Sequence, residues 1–140
     1  MVWFIGSFCK DVQATNDMLE GAFPDQIVRP ITWNKDRSKV VVSVSSSNNP
    51  GEYYYFDKEN MILTFLWDRS PWLERSKLSK MTAIKYTARD GLEIHGYLTT
   101  PVNSDGKNMP MIVHPHGGPN VRDTYGYDPY VCLLYTSPSP

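Results

Sequence analysis

Apolar and polar positions change rhythm three times along this chain. Residues 11–21, DVQATNDMLEG, place Val12, Ala14, Met18 and Leu19 loosely on one helical face, and Gly21 and Pro24 stop the pattern. Residues 27–67 then carry four runs rich in Val, Ile, Tyr and Phe: IVRPITW, KVVVSVS, EYYYFD and MILTFLW. Such side chains fit a pleated surface. Polar stretches separate them, and the Asn-Pro-Gly within SSNNPG is turn chemistry. The pattern predicts a four-stranded antiparallel meander, with Pro30 marking the first strand as an edge or an irregular one. Four strands in so short a span match one blade of a β-propeller and equally a meander in a sandwich. The aromatic set Trp33, Tyr53, Tyr55, Phe65 and Trp67 reads as core packing.

Residues 68–79 are a polar connector with a helical turn expected after Pro71. Beyond it the period returns to two. Ile84 and Tyr86 alternate, then Leu92, Ile94, Gly96 and Leu98, with Arg89-Asp90-Gly91 between them. That is a β-hairpin signal. After a polar loop, MPMIVH over residues 109–114 is short, apolar and unalternating, as expected of a strand buried on both faces.

Composition narrows the class. With 41% hydrophobic, 13% aromatic and 21% charged residues, the chain is globular. A formal net charge of -1 gives no general attraction to nucleic acid or an anionic membrane, and no apolar run approaches the roughly 20 residues that span a bilayer. Cys9 and Cys132 lack companions at metal-ligand spacing. The last nine residues, CLLYTSPSP, show no strand or helix period. They resemble the translated end of a sequencing-library adapter, so residues 132–140 are expected to be adapter read-through and the native chain to be cut near Val131. Met1 is then not required to be a true start.

The chemistry gathers in His116-Gly117-Gly118-Pro119, directly after the predicted buried strand. Acyl transfer builds negative charge on a carbonyl oxygen, and preorganised N–H donors aimed at it are a large catalytic term. Glycine lets the main chain approach closely, whereas Pro119 has no N–H to donate. The Gly117 and Gly118 amides are therefore the candidate donors, with His116 and Pro119 as structural support of the loop. His114 and His116 would share one face of a strand, but Pro115 breaks the ladder and no third ligand is evident, so no metal site is expected. Arg122-Asp123 reads as a local salt bridge bracing the loop.

The run YTARDGLEIHGYLTTP, a polar loop, and MPMIVHPHGGPNVRDTYGYDPYV resemble the start of the catalytic domain of the prolyl oligopeptidase family of serine peptidases, in its acylaminoacyl-peptidase and dipeptidyl-peptidase-like branch. NPGEYYYFD resembles its last propeller repeats. The resemblance implies a mixed fold: an all-β propeller blade or blades, followed by the first strands of a truncated α/β-hydrolase domain. Residues 1–78 would end a β-propeller (one blade at about 27–67), and residues 79–131 would begin the hydrolase domain. It further implies proteolysis of short peptide substrates with no cofactor. Gly118 would be the oxyanion donor and Gly117 would shape the loop or donate as well. The nucleophilic serine of that family sits in a G-x-S-x-G elbow, and the 140 residues contain none. His95, His114 and His116 all precede the elbow, so the triad lies outside the chain, which is expected to be inactive alone. Two alternatives stay open: an esterase or lipase with the same glycine loop, and a non-catalytic propeller module. Compartment and the oligomeric state of a longer enzyme are left open.

Overall fold

A computed structural model describes residues 10–136. It is mostly β, with two α-helices and two antiparallel sheets among the described residues. No helix among them is long and apolar enough to cross a membrane. They divide into two compact units: residues up to Ser45 with Gly51–Ser70, and Ser46–Pro50 with Pro71 onward.

The first unit holds helix α1 (Lys10–Ala22) and strands β1 (Ile27–Trp33), β2 (Lys39–Ser46), β3 (Asn49–Asp57) and β4 (Ile62–Asp68), with sheet order β1-β2-β3-β4. Alternation along β2 explains its core. Val40, Val42 and Val44 project to one face and are almost wholly buried with Leu19 of α1 and Phe56 of β3. Phe23, Val28, Trp33 and Tyr54 pack around them. The deep residues of α1 are Thr15 and Leu19, one turn apart, whereas Ala14 and Met18 of the expected face are exposed. A sheet takes up a narrower stripe of the helix than the sequence pattern suggested. The helix also runs through Gly21 to Ala22, and Asp25 takes the positive φ of the exit turn.

Pro30 sits on edge strand β1, and the β1–β2 register slips between Pro30 and Thr32. The β1–β2 turn is closed by Asn34, whose Oδ1 accepts from the Lys39 N–H, and by Asp36, whose Oδ1 accepts from the Ser38 N–H and hydroxyl. Between β2 and β3 the turn is Ser47-Asn48, and Pro50-Gly51 already belongs to β3. The Asn-Pro-Gly turn expected from sequence is therefore displaced: Gly51 uses its freedom at φ 139 inside the strand.

Phe65 and Trp67 correct the core reading. They lie on edge strand β4 with 52% and 51% exposure. Trp67 stacks on Tyr53 at 4.2 Å, and Phe65 meets Tyr54 edge-on at 5.6 Å. Burial is centred on β2, which has neighbours on both sides, so an edge strand keeps its rings half in solvent.

The second unit holds a short 3₁₀ turn (Arg75–Lys77), strands β5 (Met81–Thr87) and β6 (Glu93–Thr99), and helix α2 (Pro129–Thr136). The helical turn starts later than Pro71. The hairpin pairs in register from Met81↔Thr99 to Thr87↔Glu93. Its turn is set by Gly91 at φ 86, with the Leu92 N–H bonded to Asp90 Oδ1. Ile84 lies 3.8 Å from where a Cβ on Gly96 would stand, so the glycine admits its cross-strand partner.

Two expectations fail here. Residues 109–114 form no strand, and Met111, Ile112 and Val113 are 77%, 65% and 74% exposed. A strand needs flanking strands to take its N–H and C=O groups, and among the described residues β5 and β6 pair only with each other. Pro110 and Pro115 also remove a donor near either end. The tail, read as having no helix period, is helical from Pro129 to Thr136 with Cys132 buried. Asp128 Oδ1 accepts from the Tyr130 and Val131 N–H groups, an N-cap followed by proline at the first helical position. Cys9 and residues 137–140 lie outside the described residues.

Candidate functional site

The glycine loop is extended, exposed backbone. His114 through Asp123 are all exposed, and no regular element includes them. A Cβ placed on Gly117 or Gly118 would meet nothing within 4 Å. These glycines are therefore not there to relieve crowding within the described residues. Neither has a positive φ, so an unusual backbone angle does not require them either. The Gly118-Pro119 peptide is cis.

The hydrogen bonds decide what the loop can offer. The His116 ring Nδ1 lies 2.7 Å from the Gly117 carbonyl oxygen. A carbonyl can only accept, so Nδ1 donates and carries the proton. That bond engages the Gly117 C=O and leaves the amides alone. Among the described residues, neither the Gly117 nor the Gly118 N–H donates to any acceptor. Two adjacent main-chain donors thus face solvent, in reach of an oxygen brought to them.

The neighbouring side chains are engaged separately. The His114 ring lies against Tyr130 at 5.1 Å and 36°. Tyr130 is held where it is by the Asp128 cap of α2. The sequence reading missed this contact, although Asp128-Pro129 is itself a readable helix-start signal. With His114 turned to Tyr130 and His116 to its own loop, the H-x-H pair is not brought together. No group of three or more His, Cys, Asp or Glu able to hold a metal gathers among the described residues.

Arg122 and Asp123 form no ion pair among the described residues, which corrects the expected brace. Neighbours on extended backbone project to opposite sides, so adjacent charges do not meet. His95 is exposed on β6, with Nε2 3.1 Å from Glu93 Oε1, and Lys85 Nζ is 3.0 Å from the same oxygen. Chemically, the loop can bind an anion or a polarised oxygen through its main-chain donors.

Dipeptidyl aminopeptidase BIII of Pseudoxanthomonas mexicana is 32% identical over 126 residues, covering 85% of this chain and 18% of that protein. Dipeptidyl peptidase family member 6 of Caenorhabditis elegans is 27% identical over 144 residues, covering 88% of this chain and 19% of its own length. The uncharacterized peptidase YuxL of Bacillus subtilis (strain 168) is 26% identical over 105 residues, covering 73% and 15%. The chain spans less than a fifth of the length of the curated relatives it matches. These relatives are dipeptidyl peptidases and a peptidase, and the likeness, at low identity, supports a peptidase relationship. No protein-family model matches the chain. No solved structure matches it.

Proposed function

We propose that this chain is part of a serine peptidase that hydrolyses short peptides, spanning the end of a β-propeller and the start of an α/β-hydrolase domain. Strands β1 to β4 are one blade. Residues 79–131 open the catalytic domain. The Gly118 N–H, with Gly117 shaping the loop, is one donor of the oxyanion hole. The observation that carries this reading is the pair of unengaged amides at Gly117 and Gly118, in a chain whose named relatives are peptidases.

The reaction follows from what such donors do. A serine hydroxyl, deprotonated by a histidine, attacks the peptide carbonyl. The carbonyl oxygen gains charge, and the Gly118 N–H stabilises it more strongly than the neutral ground state. The amine leaves with the proton from histidine, and water then releases the acyl group. Serine, histidine and acid all come from sequence beyond residue 131. His116 keeps the Gly117 carbonyl turned to its ring and so holds the adjacent amide outward.

The test uses the longer reading frame around this chain. Purified enzyme is offered dipeptidyl-naphthylamides and p-nitrophenyl esters. Amide hydrolysis is expected, and esterase activity alone would favour a lipase-like enzyme. Gly118→Pro removes the donor and should lower kcat by about 10²- to 10³-fold, as loss of one oxyanion donor does. Gly118→Ala keeps the N–H, and its Cβ meets nothing within 4 Å, so it should lose far less. Equal loss in both variants would remove the amide from the mechanism.

A further inference from the structure

Asp-Gly occurs twice in the chain, at Asp90-Gly91 and Asp105-Gly106. The pair carries a reaction of its own. The glycine nitrogen can attack the aspartate Cγ and close a cyclic imide, because no Cβ on the glycine blocks the approach. The two pairs are alike in most respects. All four residues are exposed. Each aspartate accepts through Oδ1 from the N–H two residues on, Leu92 at 3.1 Å and Lys107 at 3.0 Å. Such a bond folds the carboxyl back along the main chain, past the glycine nitrogen. Both glycines have a positive φ, 86 and 70. What holds the glycine amide differs. The Gly91 N–H donates to the Ala88 carbonyl at 3.0 Å, and the Ala88 N–H donates to the Leu92 carbonyl at 2.9 Å, next to the paired Thr87 and Glu93. That nitrogen reaches Cγ only if the end of the hairpin opens. The Gly106 N–H donates to the Ser104 hydroxyl at 3.0 Å, and residues 104–107 belong to no regular element. Asn103 and Asn108 on either side also have positive φ, 66 and 53. A loop held by side-chain bonds opens more readily than a strand ladder.

We propose that Asp105 is a site of spontaneous isoaspartate formation, and that the hairpin shields Asp90 from the same change. The Gly106 nitrogen bonds to Cγ of the protonated carboxyl and gives up its proton. The Cγ–OH bond breaks, and one water leaves. A second water then opens the imide at either carbonyl. Attack at Cγ restores aspartate. Attack at the original main-chain carbonyl leaves the chain running through Cγ, one methylene longer, with the α-carboxyl as the side group. Water is the only co-reactant, and nothing is oxidised or reduced. The product takes the carboxyl away from the Lys107 N–H, in the loop between β6 and residues 109–118.

The experiment ages the 140-residue chain in mildly acidic buffer, where more of the carboxyl is protonated. Trypsin then releases residues 90–107, which carry both aspartates in one peptide. Electron-transfer fragmentation locates isoaspartate within it, and the imide shows as a loss of one water. Isoaspartate should accumulate at Asp105 at least about 10-fold faster than at Asp90, the ratio set by the ease of local opening. In concentrated urea the shield is gone, and the two rates should come together. Asp105→Glu, which would need a larger ring, should end conversion at that position and leave the slow rate at Asp90 unchanged. Equal rates in the folded chain, faster conversion at Asp90, or a ratio that survives in urea would each overturn the proposal. The wild-type comparison decides alone if Asp105→Glu disturbs the loop.

Discussion

At the scale of single residues, Asp57 shows how much a turn depends on one carboxylate. It is 9% exposed at the end of β3, and its oxygens accept from the Glu59 N–H, the Asn60 N–H and the Asn60 side-chain amide. Those bonds hold its carboxyl below the usual aspartate range, the Asn60 side chain first, and Lys39 at 3.9 Å adds a smaller pull. A depressed folded pKa stabilises the fold above the unfolded value, and that stability is lost as pH falls through the folded one. Urea midpoints should therefore drop on acidification below about pH 4, and Asp57→Asn should flatten the drop. An unchanged acid limb in the variant would remove Asp57 from the effect. The sequence marks KEN as a turn, but not which carboxylate caps it, because that depends on where β3 stops. The same limit applies at Gly118. The motif was legible, while the disengaged state of its amide is a matter of geometry.

At the scale of elements, local signals were legible and distant ones were not. The β5–β6 hairpin was readable because its turn chemistry and alternation lie within one short stretch, and Gly91 at φ 86 is the residue that permits it. Gly91→Ala should cost about 1 kcal/mol or more, since an L side chain is strained there. The existence of α1 was legible, but its buried face was not, because the sheet it packs on lies beyond it in sequence. Leu19→Ala should lose about 3 kcal/mol from the first unit, whereas Met18→Ala, at a 45% exposed position, should change stability by less than about 0.5 kcal/mol. Comparable losses in both would mean that the helix packs differently. Residues 109–114 were misread because an apolar run signals a strand only when flanking strands exist to pair with it.

At the scale of the whole molecule, order is graded along the chain, and amide hydrogen exchange should report the gradient. Val40, Val42 and Val44 sit at the centre of a four-stranded sheet under α1, so the β2 amides should be the slowest to exchange. The β5–β6 amides should be intermediate, since two strands alone give marginal protection. From residue 109 to residue 124 no backbone N–H donates to an acceptor among the described residues, and nearly every side chain is exposed. Those amides should exchange close to the rate of an unstructured peptide. The prediction matters most at Gly118. An oxyanion donor must be unengaged before the substrate oxygen arrives, because a donor already bonded to its own loop has to break that bond first. Fast exchange at Gly118 beside protected β2 amides is thus the physical signature of an available donor. Protection of that amide by more than about 100-fold would mean that the loop has taken it up, about 3 kcal/mol of engagement, and would count against the proposed oxyanion role.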